Sequence, residues 1–80
     1  MKLYVDDIRE PPDSSWVIAR NARIARVLVH LLRDHLVEVS LDNDMGEGRV
    51  EGYEVLNRIE EMHFNGLLPR LEVIHIHTAN

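Results

Sequence analysis

Two short acidic pairs are the residues of this 80-residue sequence whose types and spacing point most directly to chemistry. Asp6 and Asp7 end a first apolar run, and Asp42 and Asp44 end a later alternating one. In open α/β sheets, ligands bind outside the carboxyl ends of the strands, where these side chains would lie. If the two strands are neighbours, the carboxylates converge, and a divalent cation or a raised pKa must relieve their repulsion. The pattern therefore predicts a divalent-metal or phosphate site.

The alternative for these acids is a set of solvated strand-end residues that form turns and cap helices. Their position at strand ends rather than along a helix surface favours the metal or phosphate site. The segment from Asp42 to Gly46 faintly resembles a calcium-binding loop. Glu47 stands where that loop needs a glycine and Tyr53 where it needs a glutamate, which excludes an EF-hand. Magnesium, manganese and calcium all accept oxygen ligands, so the residues leave the metal open.

Histidines and arginines near predicted strand ends supply further candidates. His75 and His77 lie on the same side of the last predicted strand, a spacing that a zinc site could use. Their alternative is a polar or interface-facing side of that strand. His77 is nearer the strand end and is the better candidate for a general acid or base. Arg9 and Arg20 could bind phosphate oxygens bidentately, and their alternative is a solvated surface position.

The composition indicates one small globular domain. The apolar share is 45% and the charged share 29%, as in soluble proteins. The absence of cysteine excludes disulfides and thiolate metal sites. A net charge of −5 argues against sequence-independent binding to nucleic acid. We see no membrane-length apolar run and no signal peptide, so we expect a cytoplasmic protein without a membrane partner.

Apolar periodicity predicts the order strand, strand, helix, strand, helix, strand. The predicted strands cover residues 1–5, 16–20, 37–41 and 71–78. A first helix runs from about Ala22 to His35 behind an Asn21 N-cap, with an apolar face of Ile24, Val27, Leu28, Leu31 and Leu32. A second helix starts near Gly52 and ends at Asn65-Gly66, with Val55, Leu56, Ile59 and Met62 on its apolar face. This order predicts an α/β fold with a mostly parallel sheet and right-handed crossovers, in the strand order 2-1-3-4.

Side-chain alternation divides the predicted strands between two faces. One face carries Leu3, Val5, Val37, Val39, Leu41, Ile74 and Ile76; the other carries Lys2, Tyr4, Glu38, Ser40, His75 and His77. Two helices cover one face only, and a parallel sheet with one bare face is unusual. We therefore expect the polar face to meet a second copy in a homodimer, a partner domain, or chain beyond Asn80.

Longer motifs resemble a known family. They are Leu3-Tyr4-Val5-Asp6-Asp7-Ile8-Arg9 with Pro11-Pro12, Trp16-Val17 leading to Arg20, Ser40-Leu41-Asp42-Asn43-Asp44-Met45-Gly46, Gly52-Tyr53-Glu54-Val55-Leu56 and His77-Thr78-Ala79-Asn80. In this order and spacing they resemble the cyclic-phosphate-processing receiver domain, a compact offshoot of the response-regulator receiver fold. The resemblance spans nearly the whole sequence and implies a compact flavodoxin-like or receiver-like fold.

The resemblance implies a magnesium-binding pocket that holds a small phosphate-containing ligand. In receivers an acidic pair after the first strand and an aspartate after the third hold the ion, and that third aspartate accepts a phosphoryl group. Asp6, Asp7 and Asp42 match these positions, and Thr78 matches a hydroxyl residue that contacts the phosphoryl oxygens. The resulting candidates are Asp42, His77 and Thr78 for catalysis; Arg9, Arg20, Thr78 and Asn80 for phosphate; and Asp6, Asp7, Asp42 and Asp44 for metal.

The sequence departs from the family pattern at two points. Asn43 stands where the offshoot usually has a histidine, and the chain ends before a fifth strand with the phosphate-binding lysine of receivers. Family members run on into a short helix, which predicts that residues 1–80 are a single truncated receiver-like domain.

Three functional hypotheses follow. The leading one is a metal-dependent domain that binds or processes a cyclic phosphate ester, with phosphoesterase activity left open. The second is a non-catalytic interaction module that dimerises or docks through its polar sheet face. The third is a phospho-accepting receiver, which the missing lysine makes the weakest of the three.

Overall fold

A computed structural model of the chain describes residues 1–42 and 49–77, and the side chains of these residues except 49–52. The elements in chain order are β1 (Lys2–Val5), β2 (Trp16–Ala19), α1 (Ala22–Leu31), β3 (Glu38–Asp42), α2 (Arg49–Phe64) and β4 (Val73–His77). The strands form one parallel sheet in the order β2-β1-β3-β4. The predicted α/β fold and strand order are confirmed. In the described part of the chain, no helix has the length and apolar character needed to cross a bilayer.

Both helices cover the same face of the sheet. The connections through α1 and α2 carry the chain across the sheet in the same direction, so right-handed crossovers place both helices on one side. The core between helices and sheet contains Leu3, Val5, Ala19, Ala22, Ala25, Val29, Leu36, Val39, Leu41, Val55, Ile59, Met62 and Leu68. The connection from β1 to β2 contains no helix. In the described residues, the second face of the sheet therefore lacks a helical layer, and we call it the open face.

The predicted alternation agrees with the observed burial of the inward residues of the central strands, although Ser40 on the opposite face is also buried. The inward residues Leu3, Val5, Val39 and Leu41 are fully buried, and Ile74 packs against them. Ile76 is in register with Leu41 but is 48% exposed. The reason is its place on β4, the outer strand of the described sheet, while α2 packs on β3.

Helix α1 begins where the sequence predicts and ends earlier. The side chain of Asn21 accepts a hydrogen bond from the backbone N–H of Ile24 at 2.9 Å, as an N-cap does. The helix ends at Leu31 rather than near His35. The carbonyl of His35 accepts a hydrogen bond from the amino terminus at 2.6 Å. The chain has therefore already turned towards β1 at that point.

The predicted apolar face of α1 is partly wrong. Leu28 and Leu32 pack against the core, but Ile24, Val27 and Leu31 are 43%, 49% and 67% exposed. The helix instead buries Ala22, Ala25 and Val29. Small side chains at these positions let the helix backbone lie close to the sheet, and the larger side chains on the adjacent helix face remain in solvent.

Helix α2 starts at Arg49, earlier than the predicted start near Gly52. Its predicted end is confirmed by the hydrogen bonds of its last turn. Gly66 has a φ of 72° and donates its N–H to the carbonyl of His63 at 3.0 Å. Leu67 donates to the carbonyl of Met62 at 2.8 Å, which completes a Schellman motif. Glycine suits this position because it adopts a positive φ without steric cost.

Candidate functional site

Three of the four predicted acidic residues meet at the carboxyl edge of the two central strands. Val5 of β1 is in register with Leu41 of β3, so the residues that follow them, Asp6 and Asp42, are neighbours. Single carboxylate oxygens of Asp6, Asp7 and Asp42 all lie within 4.8 Å of one another. The predicted convergence is therefore observed for these three, which we call the acidic cluster. Asp44 lies outside the described residues.

Asp6 is a turn-forming residue as well as a member of the acidic cluster. Its Oδ1 accepts hydrogen bonds from the backbone N–H groups of Ile8 at 3.0 Å and Arg9 at 2.8 Å. Its own N–H donates to the carbonyl of Ala19 at 3.1 Å. These bonds hold a buried carboxylate at a defined position, and Oδ2 takes no part in them. Both sequence interpretations of Asp6, the turn and the metal ligand, are thus compatible in one side chain.

The donor set of the acidic cluster fits a divalent cation that prefers oxygen ligands. Around one magnesium ion, ligand oxygens at roughly 2.1 Å from the metal lie up to about 4.2 Å from one another. The 4.8 Å limit is close enough that small side-chain rotations bring the oxygens to one ion. Asp6 and Asp42 are buried and Asp7 is exposed, so the cluster has one solvent-facing side. That side leaves room for water or phosphate oxygens as further ligands.

Arg20 holds the loop between β1 and β2. Its Nη1 donates to the backbone carbonyls of Asp6 at 3.2 Å and Arg9 at 2.6 Å, and its Nη2 donates to Glu10 at 2.8 Å. The Arg9 side chain is exposed, and Arg9 follows Asp7 by two residues in the sequence. Its backbone N–H donates to Asp6 in the turn. Phosphate binding by either arginine stays a prediction, and Arg20 has a structural role in the loop.

The two histidines of β4 make separate hydrogen bonds to β3. His77 Nε2 lies 2.9 Å from the Oγ of Ser40, and His75 Nε2 lies 2.7 Å from a carboxylate oxygen of Glu38. The imidazole rings stack with centroids 6.5 Å apart. In the part of the chain whose side chains are described, the acidic cluster is the one group of three or more aspartate, glutamate, histidine or cysteine side chains that could share a metal ion. It includes neither His75 nor His77. His77 is in register with Asp42, which places it beside the acidic cluster.

The chain matches the family model described as the cyclic-phosphate processing receiver domain, and the match covers residues 1–80. The chain belongs to this family. Comparison with curated proteins and with solved structures gave no significant match. The family match confirms the resemblance seen in the sequence motifs. It also gives the acidic cluster of this receiver domain a context, since the cluster occupies the edge where the receiver pattern predicts a metal.

The open face of the receiver domain carries a pocket that sequence reasoning did not identify. This open-face pocket has a volume of about 380 Å³ and is lined by Tyr4, Glu10, Pro12, Trp16, Glu38, Ser40, His75 and His77. Alternation had already placed the β1, β3 and β4 members on one face. The missing signal was the register of β2, which pairs Trp16 with Lys2 and brings the indole to the same face.

The remaining site predictions fall outside the described residues. Thr78 and Asn80 follow β4, and Asn43 and Asp44 follow β3, in the two segments whose placement is not described. Their roles in phosphate or metal binding stay predictions of the sequence motifs.

Proposed function

We propose that this receiver domain binds magnesium through Asp6, Asp7 and Asp42 and uses the bound ion to bind and process a cyclic phosphate ester. The observation that carries the proposal is the convergence of the three carboxylates within 4.8 Å at the carboxyl edge of the sheet. Membership in a cyclic-phosphate processing family supports the choice of ligand. Three carboxylates at one sheet edge would repel one another without a cation, which supports the choice of a metal.

In the proposed reaction, residues of the chain must position the phosphate ester and transfer protons. When bound, a divalent cation neutralises negative charge on the phosphate oxygens. Opening a cyclic diester consumes one water and breaks one P–O ester bond, so the attacking water loses a proton and the leaving oxygen gains one. His77, beside Asp42 in the register of β3 and β4, is our candidate for moving that proton at Nε2, which exchanges its hydrogen bond to Ser40 Oγ for the substrate when it does so. We assign phosphate contacts to Arg9 and to Thr78.

The first test is thermal unfolding with and without millimolar magnesium. A ligand at a hundredfold excess over its Kd stabilises the folded state by about 2.7 kcal/mol, which raises Tm by on the order of 10 °C in a domain of this size. We expect this rise in the wild type and not in Asp42→Ala. Asp34→Ala is the matched control, because Asp34 is an exposed acid that precedes β3 and so lies at the opposite end of the sheet.

Turnover is tested separately by ³¹P NMR with adenosine 2′,3′-cyclic phosphate and magnesium. We expect conversion to a monoester by the wild type. His77→Gln is expected to slow this conversion while leaving the magnesium-dependent rise in Tm unchanged, since His77 is not in the acidic cluster. If magnesium leaves the Tm of the wild type unchanged, the metal-dependent function is wrong.

A non-catalytic interaction module is the second candidate function. The observation that favours it is the outer edge of β4, where Val73 and Ile76 are exposed large apolar residues. In the part of the chain that the structure describes, no strand pairs with this edge, and such an edge is a surface on which another strand can pair. The occupant we expect is a second copy of the chain, and sedimentation velocity across a concentration series tests it. A monomer at all concentrations would count against this candidate.

A further inference from the structure

The open-face pocket and the acidic cluster are adjacent parts of one surface. Ser40 lines the pocket and Asp42 belongs to the cluster, and the two lie two residues apart on the same face of β3. Two residues along a strand span about 7 Å. His77 also lies next to both, because it lines the pocket and is in register with Asp42 of the acidic cluster. A ligand with two groups separated by about one sugar ring would occupy both.

The pocket combines aromatic walls with a polar floor. Its volume of about 380 Å³ is within the range of small-molecule sites. Tyr4 and Trp16 form one wall, with ring centroids 5.9 Å apart in an edge-to-face arrangement. Aromatic side chains bind planar heteroaromatic groups through stacking and edge contacts.

The floor offers hydrogen-bonding groups at fixed positions. The pairs His77 with Ser40 and His75 with Glu38 lie side by side across β3 and β4. These groups are paired with each other, but a purely aliphatic ligand would still remove water from their remaining donor and acceptor atoms without replacing it, which is unfavourable. The edge of a nucleobase carries donors and acceptors, and its faces are apolar, so it meets both the walls and the floor.

We propose that the open-face pocket binds the base of a nucleoside whose cyclic phosphate lies at the acidic cluster. This inference rests on the proposed function and names its substrate class as nucleoside cyclic phosphates. The loop between β1 and β2 completes the pocket with Glu10 and Pro12. Arg20 holds that loop through Glu10 and two backbone carbonyls, so the wall is formed before the ligand arrives.

The experiment uses the fluorescence of Trp16, the one tryptophan of the sequence. With magnesium present, the wild type is titrated by calorimetry with adenosine 2′,3′-cyclic phosphate and with methyl riboside 2,3-cyclic phosphate, which has the same phosphate and sugar without the base, and Trp16 fluorescence reports contact with the base. We expect the adenosine compound to bind at least about tenfold more tightly and to quench the indole. Adenosine itself, without magnesium, is expected to quench Trp16 at millimolar concentration.

Two variants that keep the indole reporter make the test specific. Tyr4→Ala removes one aromatic wall and should reduce the preference for the base-containing compound by about tenfold. Ile18→Ala is the matched control, because Ile18 is in register with Tyr4 on the open face but does not line the pocket. The comparison of ligands on the wild type stands even if Tyr4→Ala does not fold.

The outcomes separate this inference from the proposed function. If both cyclic phosphates bind equally and require magnesium, the metal site is supported and the base subsite is overturned. If adenosine quenches Trp16 but magnesium has no effect on any ligand, the base pocket is supported and the metal-dependent function fails. If neither adenosine nor its cyclic phosphate quenches Trp16, the inference is wrong.

Discussion

The two faces of the sheet use the same four strands for different purposes. On the helix-covered face, Leu3, Val39 and Leu41 are fully buried in one apolar core. On the open face, serine and glutamate side chains of β3 pair with histidine side chains of β4, and Tyr4 of β1 contacts the ring of Trp16 in β2. In β1, β3 and β4, consecutive residues therefore belong to different surfaces, one that stabilises the fold and one that we propose binds a ligand.

Because of this division, we expect substitutions on the covered face to change mainly stability and substitutions on the open face to change mainly ligand binding. Because side chains alternate, Tyr4 and Ser40 line the open-face pocket while their direct chain neighbours lie in the core. The acidic cluster lies where these strands end, and there one residue can serve both purposes. The comparison predicts large losses of stability on the covered face, mixed effects at the acidic cluster, and small effects in the loop beside the open face.

The largest effect is expected from Leu41→Ala on the covered face. Leu41 is fully buried, and removing such a side chain leaves a cavity that costs about 2–5 kcal/mol. That loss is a large part of the stability of a small domain, which is roughly 5–15 kcal/mol. Urea unfolding followed by circular dichroism measures it.

The control for Leu41→Ala is Ile18→Ala, which removes apolar carbons from an exposed side chain on the open face. We expect its loss of unfolding free energy to be below about 1 kcal/mol. Similar losses for the two variants would mean that the open face is covered in solution, and would contradict the division between the faces.

A smaller effect is expected at Asp6, where structure and function meet. Asp6→Ala removes the acceptor of two backbone N–H groups, which costs about 1–3 kcal/mol. Asp6→Asn keeps a side-chain oxygen for the turn and removes the charge, so it should restore most of the stability without restoring magnesium binding. Unfolding free energy and the magnesium-dependent rise in Tm are measured on the same samples.

Asp7→Ala is the companion to the Asp6 variants. Asp7 is exposed, so its loss should leave the unfolding free energy nearly unchanged without magnesium and reduce the rise in Tm with it. If Asp6→Asn is as unstable as Asp6→Ala, the charge of Asp6 rather than its hydrogen bonds in the turn stabilises the fold, which would contradict the structural role assigned to this turn.

The sequence predicted the sheet because its signals are local and periodic. Alternation in residues 37–41 identified β3, and the apolar residues around Leu3 identified β1. Their parallel order then brought Asp6 and Asp42 together, as observed. The glycine that ends α2 was predicted for the same reason, since a positive φ at Gly66 needs a residue without a Cβ.

Features that depend on how closely elements pack were not predictable from periodicity. Ile24, Val27 and Leu31 have the spacing of a core face, yet α1 buries two alanines in their place, because close approach to the sheet depends on side-chain size. The open-face pocket depends on the register of Trp16 in β2 and on the position of the loop that carries Glu10. Neither leaves a periodic mark in the sequence.

The smallest effect is expected from Arg20→Ala, which tests the loop at the border of the open face. Arg20 makes three hydrogen bonds to this loop, but its side chain is 38% exposed and its ion pair with Glu10 is screened by solvent. We expect a loss of about 1 kcal/mol in unfolding free energy. The more specific result is faster hydrogen exchange at the N–H groups of Ile8 and Arg9, because the turn they form loses its support.

Arg23→Ala is the matched control for Arg20→Ala, since Arg23 is an exposed arginine on α1 with the same charge. Arg20→Lys should behave more like Arg20→Ala than like the wild type, because an ammonium group cannot reach two carbonyls and a carboxylate with the geometry of a guanidinium. Loosening of the loop should also weaken quenching of Trp16 by adenosine, as Glu10 and Pro12 form a wall of the pocket. Unchanged exchange and unchanged quenching in Arg20→Ala would mean that the wall forms without Arg20, and that the open face depends on its strands alone.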